Sequence, residues 1–385
     1  MENPTTFFGW AGLIGLGGLG FLFVITLVVF VHELGHFLAA RYFGVRVESF
    51  SIGFGRAIVG FKDRYGTYWK VGWLPLGGYV KFWGDEGVSS TPDHEKLDHA
   101  SAAERAGSFH HKPLWQKAII AVGGPVANFI LAILIFWAMN MALGERHTLA
   151  RVDQVKPGTP AELVGFKPGD VVLEIDGQEI EGFFDLVRIV SLNQDRELAI
   201  LVRRNDQTLT LRVAPRLIAM DDPLAGKIKN TGLGLVHDSK KDRPEDVKFV
   251  RLGPLEALSK GVGDTWYIVA KTFDFIGQLL TGRGDYQQLS GPIGIAKVSG
   301  QVLVFLGVVA LINLAAVLSV SIGLLNLFPI PMLDGGHLLY YGIEAVRGRP
   351  LGERAQELGF QIGFVLVVSL MLFATWNDLT KFRLF

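Results

Sequence analysis

The stretch Val31-His32-Glu33-Leu34-Gly35-His36 ends a run of uncharged residues, 11–31, that includes Phe21-Leu22-Phe23-Val24-Ile25-Thr26-Leu27-Val28-Val29-Phe30. About 20 apolar residues suffice for a helix to cross the hydrocarbon core of a bilayer. The segment is therefore expected to span a membrane, with two imidazoles and a carboxylate at its end. Ionisable side chains at that depth are costly and mark function. On a helix, His32 and His36 stand one turn apart on the same face. Two histidines so spaced, with a glutamate after the first, have the pattern of a zinc-binding helix, and Glu33 falls where the general base belongs. A chance copy of this pattern has no reason to sit at the end of an apolar span rather than on a solvated helix.

Working outward, the composition agrees. Of 385 residues, 49% are hydrophobic and 19% charged, more apolar and less charged than soluble domains usually are. The formal net charge is zero, so the chain lacks the basic footprint of a nucleic-acid binder and no nucleic-acid partner is expected. There are no cysteines, which excludes a thiol nucleophile, a thiolate metal site and disulfides. Residues 1–20 hold no Lys or Arg, so the first apolar segment lacks the basic start of a signal peptide and reads as a retained span. Residues 115–143, 302–328 and 359–376 are three further span-length segments. Arg41, Arg46, Arg56, Lys62, Arg64, Lys70, Lys81, Lys112 and Lys117 follow the first span, and Arg347, Arg349 and Arg354 precede the last. The positive-inside rule puts both basic segments in the cytoplasm and residues 144–300 outside, although Lys381 and Arg383 pull the other way. The motif then lies toward the cytoplasmic side.

Within 144–300 the pattern changes to strands and turns. Val171-Val172-Leu173-Glu174-Ile175 runs into Asp176-Gly177, and residues 198–202 and 208–213 alternate around Asn205-Asp206, both hairpin signals. Residues 183–190 have helical spacing. Residues 254–280 are amphipathic, but Glu256, Lys260, Asp264, Lys271 and Asp274 argue against a fifth span. This segment reads as one or two helices lying on the outer membrane face, or packed on the strand-rich domain. Residues 85–107 read as a polar loop, with His94 and His99 solvated.

Two histidines do not complete a catalytic zinc site, which takes three protein ligands. The end of the third span offers Asn326-Leu327-Phe328-Pro329-Ile330-Pro331-Met332-Leu333-Asp334-Gly335-Gly336-His337. Pro329 and Pro331 end the helix, and Gly335-Gly336 permits close backbone approach. Asp334 is the expected third ligand, and His337 is a rival just past the turn.

These motifs together resemble the site-2 protease family of intramembrane zinc proteases, and within it the bacterial sigma-E regulating branch. The stretch Gly165-Phe166-Lys167-Pro168-Gly169-Asp170-Val171-Val172-Leu173-Glu174-Ile175-Asp176-Gly177 resembles a bacterial PDZ domain. Pro75-Leu76-Gly77-Gly78-Tyr79-Val80, Gly124-Pro125-Val126-Ala127-Asn128 and Ser290-Gly291-Pro292-Ile293-Gly294 extend the resemblance over nearly the whole chain. It implies a multi-pass α-helical membrane protein of about four transmembrane helices, with an inserted α+β PDZ domain and a cytoplasmic membrane-associated β-loop. The implied segments are a first span with the motif (1–44), the loop (45–112), a second span (113–144), the PDZ domain (145–216) and extracytoplasmic strand and amphipathic helices (217–300). A third span with the Leu-Asp-Gly motif (301–341) and a fourth span with the tail (342–385) complete it.

The resemblance further implies zinc on His32, His36 and Asp334, Glu33 as catalytic base, and substrate contacts from Asn326, Asn128, Gly77, Gly78 and Tyr79. The expected location is a bacterial inner membrane, in contact with the lipid bilayer. The expected substrates are single-span membrane proteins already trimmed by another protease, such as anti-sigma factors, or remnant signal peptides. The PDZ domain would face outward and take a peptide ligand or act as a size filter. The chain departs from the family pattern in carrying one PDZ domain and in having Ser321 where members often have asparagine. A catalytically inactive PDZ scaffold and a metal transporter are the alternatives. The intact His32, Glu33, His36 and Asp334 weigh against the first, and the lack of an internal repeat against the second.

Overall fold

The computed structural model describes residues 7–87, 93–222, 226–238, 242, 243 and 246–381. They form two compact units, one running to Ile135 and resuming at Leu289, the other Phe136–Gln288.

The first unit opens with α1 (Phe7–Tyr42), which carries the His32–His36 motif near its C-terminal end. Next come β1 (Val47–Lys62) and β2 (Tyr68–Phe82), an antiparallel pair rich in aromatic and β-branched residues. The pair is curled, because Gly53 and Gly55 in β1 and Gly77 in β2 have positive φ and bend the strands. Residues 49–52 consequently lie between two stretches of β2, with 68–71 on one side and 78–81 on the other. Phe50 and Trp69 stack with ring centroids 4.3 Å apart. Together with Phe37, Val80, Phe82, Phe109 and Ile120 they form a core that fastens the hairpin to the motif-bearing end of α1.

Residues 85–107 are not a plain loop. They carry α2 (His94–Asp98) and α3 (Ala102–Gly107), each started by a side-chain cap: Asp93 accepts from Lys96 N, and Ser101 and Glu104 form a reciprocal capping box. Asp85 is buried, accepting from Phe82 N and pairing with His110 at 2.8 Å. Apolar periodicity does not register such caps, which is why the sequence reads there as unstructured. His99 is exposed, as expected, while the side chain of His94 lies outside the described set. The second long helix is α4 (Leu114–Leu143), with Pro125 inside it.

In the second unit, β3 (Glu145–Thr148) and β4 (Gln154–Val155) precede α5 (Pro160–Leu163), β5 (Val171–Ile175), β6 (Gln178–Glu179) and α6 (Phe183–Leu192). Then come β7 (Leu198–Arg204), β8 (Gln207–Val213), β9 (Arg216–Asp222), β10 (Gly226–Gly232), β11 (Leu235–Val236), β12 (Val247–Val250) and α7 (Pro254–Leu280). The central sheet has the order β6-β5-β7-β8. Both expected hairpins are present: Asp176-Gly177 and Asn205-Asp206 turn with positive φ at both residues, the conformation that suits two-residue loops. Val172, Ile175, Leu198, Ile200 and Val202 pack against Leu186 and Val190 of α6. The segment 254–280 is one continuous helix, and one face of it is tied to α6 by Arg188–Asp264 and by Ser191–Tyr267. Leu255, Trp266, Phe273 and Leu280 remain exposed.

The first unit resumes with α8 (Pro292–Asn326), α9 (Asp334–Arg347) and α10 (Glu353–Lys381). Helix α8 starts at Pro292, ahead of the boundary near 301 read from the apolar run, and is interrupted at Gly307, where φ is 82°. Its polar first turns are held by Asp378 of α10, whose buried Oδ2 accepts from Gly291 N at 2.9 Å and Gly294 N at 2.7 Å. Gly17 and Gly20 of α1 face Ala296, Ser299 and Gly300 of α8, small residues that let two membrane helices approach closely. Four helices are long and apolar enough to cross a membrane: Gly15–Tyr42, Leu114–Leu143, Pro292–Asn326 and Arg354–Lys381. The chain is a helical membrane protein by this measure, with a strand-rich insertion.

Candidate metal centre

Helix α1 places His32 and His36 on one face, with ring planes at 81° and centroids 4.8 Å apart. Their Nε2 atoms converge to 3.2 Å. Asp334, far away in sequence, brings Oδ2 to 3.2 Å from His32 Nε2 and Oδ1 to 3.4 Å from His36 Nε2. The three side chains are only 11, 13 and 18% exposed, so little water reaches them.

Local backbone explains how Asp334 gets there. Pro329 and Pro331 cannot continue the ladder of α8, and the chain turns through Met332, whose φ of 85° is unusual for a residue with a side chain. Gly335 is then pressed against the end of α8: a Cβ on it would lie 2.2 Å from the carbonyl oxygen of Phe328. Glycine is therefore required for α9 to begin beside α8 with Asp334 in its first turn. His337, the rival ligand, sits one turn further along α9 and packs on Phe360 at 5.8 Å and Tyr341 at 6.4 Å. It lies outside the donor group formed by His32, His36 and Asp334.

The donor set fits zinc. Four ligands at about 2.0–2.1 Å in a tetrahedron stand about 3.3 Å from one another, and the three separations here bracket that value. Asp334 Oδ2 is buried without a hydrogen bond, a vacancy of partner that a cation answers. Three protein donors are the number a catalytic zinc site takes, whereas a structural site takes four, so His32, His36 and Asp334 would suit a catalytic zinc.

Helix α4 forms the wall behind the imidazoles, a contribution that motif reading left without a role. His36 Nδ1 donates to the Ile120 carbonyl at 2.8 Å. Gly124 faces both rings, and a Cβ there would meet His36 Nε2 at 2.3 Å. The signal was present as Gly123-Gly124-Pro125 within a span, since small residues in membrane helices mark close packing. Asn128, expected to touch substrate, is instead fully buried, with Nδ2 3.3 Å from His32 Nδ1.

On the other side, Glu33 points toward β2. Gly78 is so near that a Cβ on it would meet Glu33 Cγ at 3.0 Å and Ser51 O at 2.8 Å. Residues 78–80 pair with 50–52 along one edge, and among the described residues no strand pairs with the other. Gly77, with φ 92°, makes the bend before that edge. Tyr79 is turned aside, stacked on Phe54 at 6.1 Å. Asn326 is half-buried in the last turn of α8, with no hydrogen bond to the donor set among the described residues. The Ser321 hydroxyl bonds back to Val317 O of its own helix at 3.0 Å.

Comparison with known proteins agrees with this geometry. The sequence model of peptidase family M50 matches residues 20–370. The chain is 44% identical to a protein of Agrobacterium fabrum named as a candidate zinc metalloprotease, over 94% of this chain and 95% of that protein. A Rhizobium meliloti protein of similar name is also 44% identical, over 93% of this chain and 95% of its own length. Metalloprotease MmpA of Caulobacter vibrioides is 41% identical, over 94% of this chain and 95% of that protein. With a three-donor site beside membrane-length helices, the family model over residues 20–370 and relatives matched over 94% of the chain show that this chain belongs to peptidase family M50 and is a zinc metalloprotease.

Proposed function

We propose that the enzyme is an intramembrane endopeptidase that cuts the transmembrane segments of single-span proteins, with His32, His36 and Asp334 as zinc ligands and Glu33 as catalytic base. The observation that carries this reading is the convergence of His32, His36 and Asp334, with Glu33 adjacent to His32 in sequence, close to where the apolar, span-length helices α1 and α8 end. Zinc in that position supplies a Lewis acid for the scissile carbonyl and lowers the pKa of water by several units. Glu33 takes the proton from the attacking water and returns it to the leaving amine. A substrate helix hides its backbone in its own hydrogen bonds and must unwind to be cut. The unpaired edge at Gly77, Gly78 and Tyr79, beside Glu33, offers main-chain groups to hold the unwound stretch as an added strand.

In this reading residues 45–112 form a membrane-associated β-loop on the cytoplasmic side, and residues 145–216 form a PDZ domain outside. The sheet β6-β5-β7-β8 with α6 packed on it supports the domain assignment, and the Lys/Arg asymmetry supports the orientation in a bacterial inner membrane. The exposed apolar stripe of α7 then rests on the outer membrane surface. The substrates are pre-trimmed single-span proteins such as anti-sigma factors, or remnant signal peptides. The PDZ domain binds peptide or excludes bulky outer domains.

The test uses the purified chain in detergent with a model transmembrane peptide. Cleavage stopped by a chelator and restored by zinc, together with an E33Q variant that keeps its zinc and loses about 10²–10⁴-fold in rate, is the expected result. Zinc-loaded E33Q cutting at the wild-type rate would remove Glu33 from the mechanism. Zinc-loaded wild type inert toward every membrane peptide, whatever its length, would favour the scaffold.

A further inference from the structure

We propose that Asn128 is a positioning residue whose side-chain oxygen accepts a hydrogen bond from His32 Nδ1–H, fixing the tautomer that leaves His32 Nε2 free to bind metal. The inference rests on the zinc-ligand reading of His32. A neutral imidazole has one N–H and one lone pair. If Nε2 is to face His36 and Asp334 as a lone pair, the proton must be on Nδ1, and Nδ1–H needs an acceptor.

The side-chain amide of Asn128 is the group at that nitrogen, 3.3 Å away. As drawn, its Nδ2 faces the ring and its Oδ1 is buried without a partner. Two N–H groups cannot bond each other, so that orientation fits only the tautomer with the proton on Nε2, which cannot bind metal. Exchanging the two ends of the amide, which have the same shape, puts Oδ1 against Nδ1–H and gives the metal-competent ring. His36 shows the same logic with a partner that can only accept: its Nδ1 meets the Ile120 carbonyl at 2.8 Å. Both rings are thus held by α4, one through backbone and one through Asn128.

Asn128 itself is clamped. It is fully buried, Ser319 Oγ donates to its backbone carbonyl at 2.9 Å, and Gly323 leaves just enough room for its Cβ. Ser319 and Gly323 belong to α8, the helix that ends at the Asp334 turn. One residue therefore joins the helix of His32, its own helix and the helix that delivers Asp334. An amide performs this task without adding a fourth ionisable group to the three of the donor set.

The experiment compares zinc affinity of the wild type, N128L and N128D in detergent, by competition with a chromogenic chelator, alongside melting of the metal-free forms. N128L keeps the volume and removes the acceptor, and its affinity should fall about 10–100-fold. N128D keeps an acceptor and has no donor, and should hold zinc within a few-fold of wild type. N128L with wild-type affinity overturns the proposal. So does N128D weakened as much as N128L, since a donor from Nδ2 would then be what His32 needs. Should N128L fail to fold, the comparison of N128D with wild type decides alone by the same criterion. A wild-type chain that takes up no zinc would sink the metal reading beneath the proposal, an outcome separable from either variant result.

Discussion

Each residue of the candidate centre does one thing that its neighbours cannot. Asp334 supplies the only carboxylate among the three donors, and two imidazoles without it leave zinc short of its usual protein ligands. D334A should purify with its helices intact and without stoichiometric zinc, by metal analysis of the detergent-solubilised protein. Retention of one zinc per chain would point to another third ligand, with His337 the first to examine. The same residue scale shows how far sequence alone could reach. His32, Glu33 and His36 are legible because a helix brings residues four apart together whatever the rest of the chain does. Asp334 was legible only because the first motif created the demand for a third ligand and the Pro and Gly residues around it announced a broken helix. The place of Asn128 beside a ring 96 positions earlier is not legible, because no local rule connects the two.

At the scale of elements, one contact borders the site and another holds the opposite end of α8. The edge strand of β2 touches α1 through Gly78, where a Cβ would meet Ser51 O at 2.8 Å and Val29 and Glu33 side-chain atoms at 3.0 Å. G78A must push the strand outward or bend Glu33, and misplacement by about 1 Å at a reacting group can lower the rate about 10²-fold. The prediction is a fall in kcat/KM of about that size with zinc content unchanged. An unaffected rate would mean that the strand edge has no part in holding substrate. At the far end of the bundle, Asp378 caps the start of α8 with two hydrogen bonds. Loss of a helix cap costs about 0.5–2 kcal/mol, so D378A should lower the melting temperature, whereas D378N, which still offers an oxygen, should lower it less. Equal melting of D378A and wild type would show the cap to be dispensable. This pairing explains the Ser290-Gly291-Pro292-Ile293-Gly294 motif, whose glycines leave room for the carboxylate: a Cβ on Gly294 would meet Asp378 Oδ1 at 2.5 Å.

At the scale of the whole molecule, the strand-rich unit has its own electrostatic signature. Asp153 is raised by burial, but the N–H of Asp238 and the guanidinium of Arg151 outweigh that and hold it below the usual carboxylate range. Asp246 is likewise raised by burial and carried below that range by Arg243 and Arg151. A carboxyl whose folded pKa is depressed stabilises the fold above its unfolded pKa of about 3.9 and loses that contribution as pH falls toward the folded value. D246N should therefore melt below wild type at pH 7, and the gap should narrow as the pH is lowered from about 5 through the unfolded value of about 3.9. A gap that stayed constant across this range would exclude the ionised Asp246 as its source.

The sequence by itself determined the four candidate spans through length and apolarity, the two tight hairpins through alternation and turn residues, and the pair of histidines with their glutamate through spacing. These are properties of short windows, fixed by periodicity, by turn chemistry and by the bilayer's thickness. The tertiary structure alone decided that α4 backs the histidines through Ile120, Gly124 and Asn128, and that β1 and β2 curl so that residues 78–80 border Glu33. It also decided that α10 reaches back to cap α8. Such contacts join residues tens of positions apart, where packing of whole helices sets the distance and no short window holds a record of it.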